Sequence, residues 1–286
     1  MCTTRIVIGA LSAQNYEDRR QACRDTWARN LPKGVDLVFL LGEPQAKLPY
    51  RVDDVLYCPC PDNYESLPQK TRWFCAWAMA QASFEFLFKC DDDTYVAVDR
   101  LLEMLPEHDY VGHDMGGYAS GGAGYFLSRK AAFAVSNRLL QPTGIEDMLV
   151  QKVLAEVNIP FITDPRLHAW NNRCPQPDNE LVSAHYCNPR RLRRIHRELT
   201  EDLSPRKELY RLWARHPHWQ GEIVLFDDGV MGRPNGDEGE YEFEAEQKLL
   251  LRWDSWSEEL LLWDSEAQVY RCPQKDFTAQ EVARSV

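Results

Sequence analysis

Short apolar runs, each too brief to span a membrane, recur through the first two hundred residues and alternate with stretches of helical periodicity. No other feature restricts the fold as much, because a chain patterned in this way builds an α/β sheet domain. Strands are expected over residues 5–11, 37–41, 55–57, 84–89 and 110–111. Helices are expected over 17–30, 67–81, 99–104, 130–140, 145–156 and 189–199, with a short strand at 161–162 and a loop over 163–179. In the second helix Leu67, Thr71, Phe74 and Ala78 recur at helical spacing, and Trp73, Phe74 and Trp77 are expected in the core.

Past His216-Pro217 the period changes from helical to strand-like. Apolar segments at 221–226, 241–244, 249–253, 260–263 and 268–270 are separated by turn signals such as Asp227-Asp228-Gly229 and Asn235-Gly236-Asp237. They predict an all-β module of five or six strands. The expected organisation is therefore an α/β domain over residues 1–215, an acidic, aromatic-rich all-β module over 216–272, and a tail over 273–286. Trp219, Tyr241, Trp253, Trp256, Trp263 and Tyr270 of that module read either as core or as stacking platforms for sugar rings.

Between His216 and Cys272 stand 14 acidic against 4 basic residues, so this module carries nearly all of the net charge of −11. Such a balance excludes nucleic acid as a partner. A 44% hydrophobic and 27% charged composition excludes wholesale disorder. The opening apolar run, residues 6–11, is too short for a signal sequence, and the expected location is cytoplasmic. Nine unevenly spaced cysteines read as free thiols rather than a disulfide framework or a zinc site.

Phe84-Glu85-Phe86-Leu87-Phe88-Lys89 is a buried-strand pattern that runs through Cys90 into Asp91-Asp92-Asp93. Three adjacent carboxylates repel one another, and a strand end keeps them where a cation compensates. Hard oxygen ligands suit Mg²⁺ or Mn²⁺, ions that share their coordination with substrate phosphates. An acidic turn before the next helix is the alternative. Between Arg190 and Arg197 the basic residues read as a solvated helix face, or as a surface for an anionic acceptor or membrane.

Over most of its length the chain resembles glycosyltransferase family 31, the β-1,3-galactosyltransferase type with its β-1,3-N-acetylglucosaminyltransferase and Fringe-like relatives. Six segments in order carry the resemblance: Arg19-Arg20-Gln21-Ala22-Cys23-Arg24-Asp25-Thr26-Trp27, Val38-Phe39-Leu40-Leu41-Gly42, residues 62–71 from Asp62 to Thr71, residues 88–96 around the aspartates, Gly122-Ala123-Gly124-Tyr125-Phe126-Leu127-Ser128, and Glu146-Asp147-Met148. The resemblance implies a GT-A fold, a UDP-sugar donor, Mn²⁺ or Mg²⁺, and transfer with inversion of a hexose, galactose first, to a glycan or glycolipid hydroxyl in a β-1,3 linkage. By position, Asp93 would ligate the metal, Asp91 would hold the metal or the donor, and Asp147 would be the general base with Glu146 as its alternative. Ser12, Arg19, Arg24, Asp62, Lys70, Asp92, Gly122 and Gly124 are the remaining donor-side candidates, the glycines by allowing close approach of backbone to sugar. His185, with His168 as its rival, is the expected third metal ligand. A non-catalytic glycan-binding protein on the same fold and a metal-dependent nucleotidyltransferase are the competing readings.

Overall fold

The computed structural model describes residues 5–81, 84–169, 180–201, 206–245 and 247–282. Two compact units account for them: Met1–Trp170 with Pro175–Leu199, and Asn171–Cys174 with Thr200–Val286. Among the described residues no helix is long and apolar enough to cross a membrane.

The first unit runs β1 (Ile6–Leu11), α1 (Glu17–Asp25), β2 (Val35–Gly42), β3 (Tyr50–Val52), β4 (Val55–Cys58), α2 (Leu67–Gln81), β5 (Phe86–Asp91), β6 (Tyr95–Val96) and α3 (Val98–Glu103). It continues with β7 (Tyr110–Gly112), β8 (Tyr125–Ser128), α4 (Arg129–Arg138), α5 (Glu146–Glu156), β9 (Ile162–Thr163), β10 (Leu167–His168), β11 (Ser183–Ala184) and α6 (Pro189–Thr200). Eight strands form one mixed sheet in the order β3-β4-β2-β1-β5-β8-β7-β9. Its centre is parallel, and β1 is buried at every residue, as a strand covered on both faces must be. Phe74, Cys75 and Ala78 of α2 meet Ala131, Ala132 and Val135 of α4 and Val150 and Leu154 of α5 in a core that also holds Val7, Val38, Leu40 and Leu87. Trp73 and Trp77 pack against the edge of that core.

Register decides where the chemistry lies. Leu11 at the end of β1 pairs with Asp91 at the end of β5, so both strands finish at the same sheet edge. A parallel sheet presents that carboxyl edge to ligands. Beside it a small sheet, ordered β10-β11-β6, carries the chain immediately after the aspartates and the chain immediately before His185.

Several boundaries differ from the sequence reading. The first helix stops at Asp25 rather than 30, because Thr26 leaves helical dihedrals and turns its hydroxyl onto the Ala22 carbonyl. Ser128 caps α4 by accepting from the Ala131 amide, which starts that helix at Arg129. The strand expected at 161–162 lies at Ile162–Thr163, and part of the expected loop forms β10. Residues 170–179 of that loop, with Cys174, lie outside the described residues, as does Cys2. The other seven cysteines are free, six of them buried. On α6, Arg191 and Arg194 are 3% and 2% exposed, so the basic face expected there is smaller than its sequence implies.

The second unit is a closed barrel of β12 (Glu208–His216), β13 (Trp219–Phe226), β14 (Val230–Gly232), β15 (Glu238–Ala245), β16 (Lys248–Trp253), β17 (Glu259–Asp264), β18 (Val269–Arg271) and β19 (Thr278–Glu281). Each strand pairs antiparallel with the next, and β19 returns to β12. Eight strands replace the expected five or six. The all-β unit therefore begins before 216, since β12 starts at Glu208, and the expected tail supplies the closing strand. Closure decides this, because a barrel needs its last strand to satisfy the open edge of its first. Period-two alternation sends Leu212, Ala214, Ile223, Leu225, Met231, Leu249, Leu251, Leu261, Phe277 and Ala279 to the interior. A mixed α/β unit with an all-β module is the architecture the sequence implies.

Candidate active site

β5 ends at Asp91 and the chain turns through Asp92 and Asp93, which gives the three aspartates different surroundings. Asp91 and Asp93 are half-buried, whereas Asp92 is 2% exposed. Asp92 does not share the surface of its neighbours. Its Oδ1 and the Oδ2 of Asp93 each lie 3.3 Å from the Arg19 guanidinium. Burial pushes Asp92 up to about 7, the charges of Asp93 and Asp91 adding to the effect while a Ser12 hydrogen bond and Arg19 oppose it. Asp92, expected on the donor side, is thus placed beneath Arg19.

His185 completes a cluster with the other two aspartates. Its Nε2 stands 3.2 Å from Asp93 Oδ1 and 3.7 Å from Asp91 Oδ2, and one donor atom from each residue falls within 4.8 Å of the others. Among the described residues this is the one group of its kind, and His168 is not part of it. His168 instead accepts the His185 amide at its carbonyl, in the ladder that carries the ring. Burial alone would raise Asp93, but the His185 hydrogen bond, the His185 charge and Arg19 hold it below the usual carboxylate range. Two carboxylates and an imidazole nitrogen so close together are a suitable donor set for a hard divalent cation.

The glycine segment makes room for these groups. A Cβ on Gly122 would stand 1.9 Å from His185 Cε1, and one on Gly121 would stand 2.7 Å from Lys89 Nζ and 2.9 Å from Asp147 Oδ1. Gly124 has φ +98°, and a Cβ there would meet the Phe88 ring at 2.3 Å. At Gly122 and Gly124 the space that a Cβ would need is taken by the His185 and Phe88 rings. Thr94 fixes the segment from below by donating its hydroxyl to the Gly122 carbonyl at 2.7 Å.

Glu146 and Asp147 open α5, where carboxylates favour the helix N-terminus. Their settings differ. Glu146 is 2% exposed, accepts from the Tyr125 hydroxyl at 2.5 Å and lies 3.2 Å from Lys89 Nζ. Burial raises Glu146 to about 7, with Lys89 opposing and Asp147 adding. Burial opposes the charge on Lys89, yet Asp91, Glu146 and Asp147 together keep it protonated. Asp147 is half-buried and accepts from the Gly121 amide at 2.9 Å. Of the pair, Asp147 is the more exposed.

Lys89 and Tyr125 are site residues that the sequence reading missed. Lys89 is 2% exposed and sits 3.2 Å from Asp91 Oδ1 as well as from Glu146. A lysine inside the apolar run 84–90 was the available signal, since a buried charge requires partners. Arg20 was missed as well. It is buried and donates to Ser12 Oγ at 2.8 Å, to the Ala13 carbonyl and to Glu17.

Ser12 is itself 5% exposed, its hydroxyl taken by Arg20 and its carbonyl by Lys70 Nζ at 2.7 Å. Lys70 also reaches Asp62 Oδ1 at 2.6 Å, and Asp62 accepts from the Gln14 and Gly42 amides at 2.7 Å each. Burial alone would raise Asp62; Lys70 and the two amides hold it below its ordinary value. Asp62 therefore ties the loops after β1 and β2 together, and the Lys70 ammonium is 1% exposed. Neither Ser12 nor Lys70 is open to a donor in this arrangement. Arg24 stands apart from the cluster, bound to Asp54 at 2.8 Å and Glu17 at 2.6 Å, with its guanidinium over the Phe39 ring.

Comparison with known proteins agrees with the resemblance. Residues 18–119 match the family model described as Galactosyltransferase. Two hydroxyproline O-galactosyltransferases of Arabidopsis thaliana are 29% and 33% identical over 112 and 106 residues, about a third of this chain and 16% of each relative. A human N-acetyllactosaminide β-1,3-N-acetylglucosaminyltransferase is 31% identical over 119 residues, 37% of this chain and 32% of the relative. The matched part of this chain thus spans a small fraction of these relatives' length. Among solved structures, a glycosyltransferase involved in glycosylation of the major capsid of PBCV-1 aligns with 67% of this chain and 98% of its own, at 16% identity and a TM-score of 0.43.

Proposed function

From a chain whose residues 18–119 form a galactosyltransferase-family segment, we propose an inverting glycosyltransferase that moves a hexose, galactose first, from a UDP-sugar to a glycan hydroxyl, forming a β-1,3 linkage. The observation that supports it most is the convergence of Asp91, Asp93 and His185 within 4.8 Å, with Asp147 tied to the same glycine segment. In this reading Asp91, Asp93 and His185 hold a Mn²⁺ or Mg²⁺ ion. Such an ion, when bound, balances the charge of the donor diphosphate.

The protein groups divide the remaining work. Arg19, two-thirds covered and bound to Asp92 and Asp93, adds a fixed positive charge beside the diphosphate. Asp147 takes the proton of the acceptor hydroxyl as its oxygen attacks the anomeric carbon from the side opposite the leaving UDP. Its carboxylate is held for that task by the Gly121 amide. Lys89 and Glu146 lie behind it, and as an ion pair they fix the start of α5 instead of meeting substrate. A single displacement of this kind inverts the anomeric centre.

The test is a donor screen that follows UDP release with and without Mn²⁺, comparing the natural chain with Asp147→Asn. Turnover of one UDP-sugar that needs the metal and falls by about 10² to 10⁴ in the variant is expected. Failure to bind or turn over any UDP-sugar under either condition would overturn the proposal.

A further inference from the structure

The aromatic residues of the barrel do not share one fate. Trp253 is 2% exposed and belongs to the interior, whereas Trp256 is 47% exposed. The meander explains the difference. Alternate hairpins of an up-and-down barrel lie at the same end, so the turns after β12, β14, β16 and β18 surround one mouth. That mouth is the end opposite the start of β12.

A cavity of about 340 Å³ opens there, lined by His216, His218, Trp219, Trp256, Glu259 and Lys275 among others. Its volume lies in the range of small-molecule sites, and barrel mouths are common places for them. The interior beneath is filled by Leu251, Leu261, Ile223 and Phe277, so a ligand is held at the rim and not within.

The polar groups of the mouth are built rather than scattered. Glu259 occupies an inward-facing position opposite Leu251 and is 5% exposed. Its Oε2 accepts from Trp253 Nε1 at 2.9 Å, while Oε1 meets His216 Nε2 at 3.2 Å and the Lys275 ammonium. A carboxylate buried at a barrel rim is costly unless paired, and here three donors converge on it. Lys275, a third exposed along its side chain, has further N–H donors to offer.

Trp219 is engaged by the stacked His216 ring at 5.4 Å and by the Arg233 guanidinium at 3.7 Å over its ring. Trp256 touches Trp253 edge to face at 6.1 Å and 88°, which steadies its indole while leaving ring surface exposed. One open aromatic face beside a fixed carboxylate and an ammonium matches a pyranose ring, which has an apolar C–H face and a rim of hydroxyls. The excess of acidic residues in this unit disfavours an anionic ligand.

We propose that this mouth is a carbohydrate-binding site for a neutral hexopyranose unit, with Trp256 as the stacking platform and the Glu259–Lys275 pair as the hydrogen-bonding group. The site goes beyond the transferase reading and stands without it.

Titration of the full chain with lactose, maltotriose and N,N′-diacetylchitobiose, followed by calorimetry and tryptophan fluorescence, tests it. Saturable binding of at least one sugar with a Kd near or below about 1 mM is expected. Trp256→Ala, a change at an exposed ring, should weaken that binding about tenfold or more with its thermal midpoint kept. Lys275→Met should weaken it as well. Asp93→Asn, which disables the proposed metal cluster, should leave it unchanged, so loss of the transferase reading is distinguishable from loss of this one. Absence of binding by all three sugars up to about 10 mM, or equal binding by Trp256→Ala, would overturn the proposal.

Discussion

Gly122→Ala is the smallest change that tests the arrangement of the metal cluster. The added Cβ would lie 1.9 to 2.3 Å from three atoms of the His185 ring. Carbon atoms in contact settle at about 3.5 Å, so ring and backbone must separate by roughly 1.5 Å. Little room exists for that, because the ring is 9% exposed, stacks on Tyr186 at 3.8 Å and stands 3.2 Å from Asp93. Overpacking of this sort costs about 1 to 3 kcal/mol, which in a unit of this size lowers the thermal midpoint by about 2 to 12 °C. The alternative is for His185 to rotate away, which removes one of three donors. Calorimetric titration with Mn²⁺ in the presence of UDP, paired with thermal melts, measures both costs. We expect a loss of Mn²⁺ affinity of about tenfold or more, about 1.4 kcal/mol, together with a lower midpoint. The double variant Gly122→Ala with His185→Ala should recover the midpoint but not the affinity, since the ring that clashes is then gone. Natural Mn²⁺ affinity and an unchanged midpoint in Gly122→Ala would refute the placement of His185 against the glycine segment.

Lys70→Met removes the buried ammonium that pairs with the half-buried Asp62, and a loss of about 1.5 to 3 kcal/mol read from a denaturant melt is expected. The same anchor gives an acid dependence: Asp62 is held below its ordinary value, so its contribution is whole above the unfolded pKa of about 4 and is lost as pH falls through the folded one. Melts between about pH 2 and 6 should therefore show a slope below about pH 4 that is shallower in Lys70→Met. Removal of divalent ions with EDTA should abolish UDP release, and Mn²⁺ or Mg²⁺ should restore it; activity that persists in EDTA would count against the metal reading.

Much of the α/β unit is legible in the sequence because its signals are local. The continuous apolar runs that become β1, β2 and β5 need no partner to be recognised, and the aspartates follow the last of them directly. What escapes is whatever depends on partners distant in the chain. Lys89 is a charge in an apolar strand, and only the fold brings Glu146, 57 residues later, to meet it. Arg19, Arg20 and Arg24 are alike in sequence, yet one faces the carboxylates, one is buried beneath Ser12 and one pairs with Asp54. Helical phase separates Arg19 from Arg20, a turn of about 100°, whereas Arg24 lies one turn along the face of Arg20, shares Glu17 with it and reaches Asp54 as well. The glycines carry a further requirement of the same kind: a Cβ at these positions would meet His185, Lys89 and Phe88, which no local pattern reveals.

The return of β19 to β12 has a consequence for how the second unit forms. Four residues, Thr278–Glu281, pair with strands on both sides, and the chain between β12 and β19 must be in place before they can do so. Contacts of such long sequence separation form slowly, and until they form both flanking strands present unpaired amides and carbonyls. Of the eight strands the closing one is also the last to be synthesised. A nascent chain therefore exposes two adhesive edges until β19 arrives, and truncation before Thr278 would make that aggregation-prone intermediate permanent.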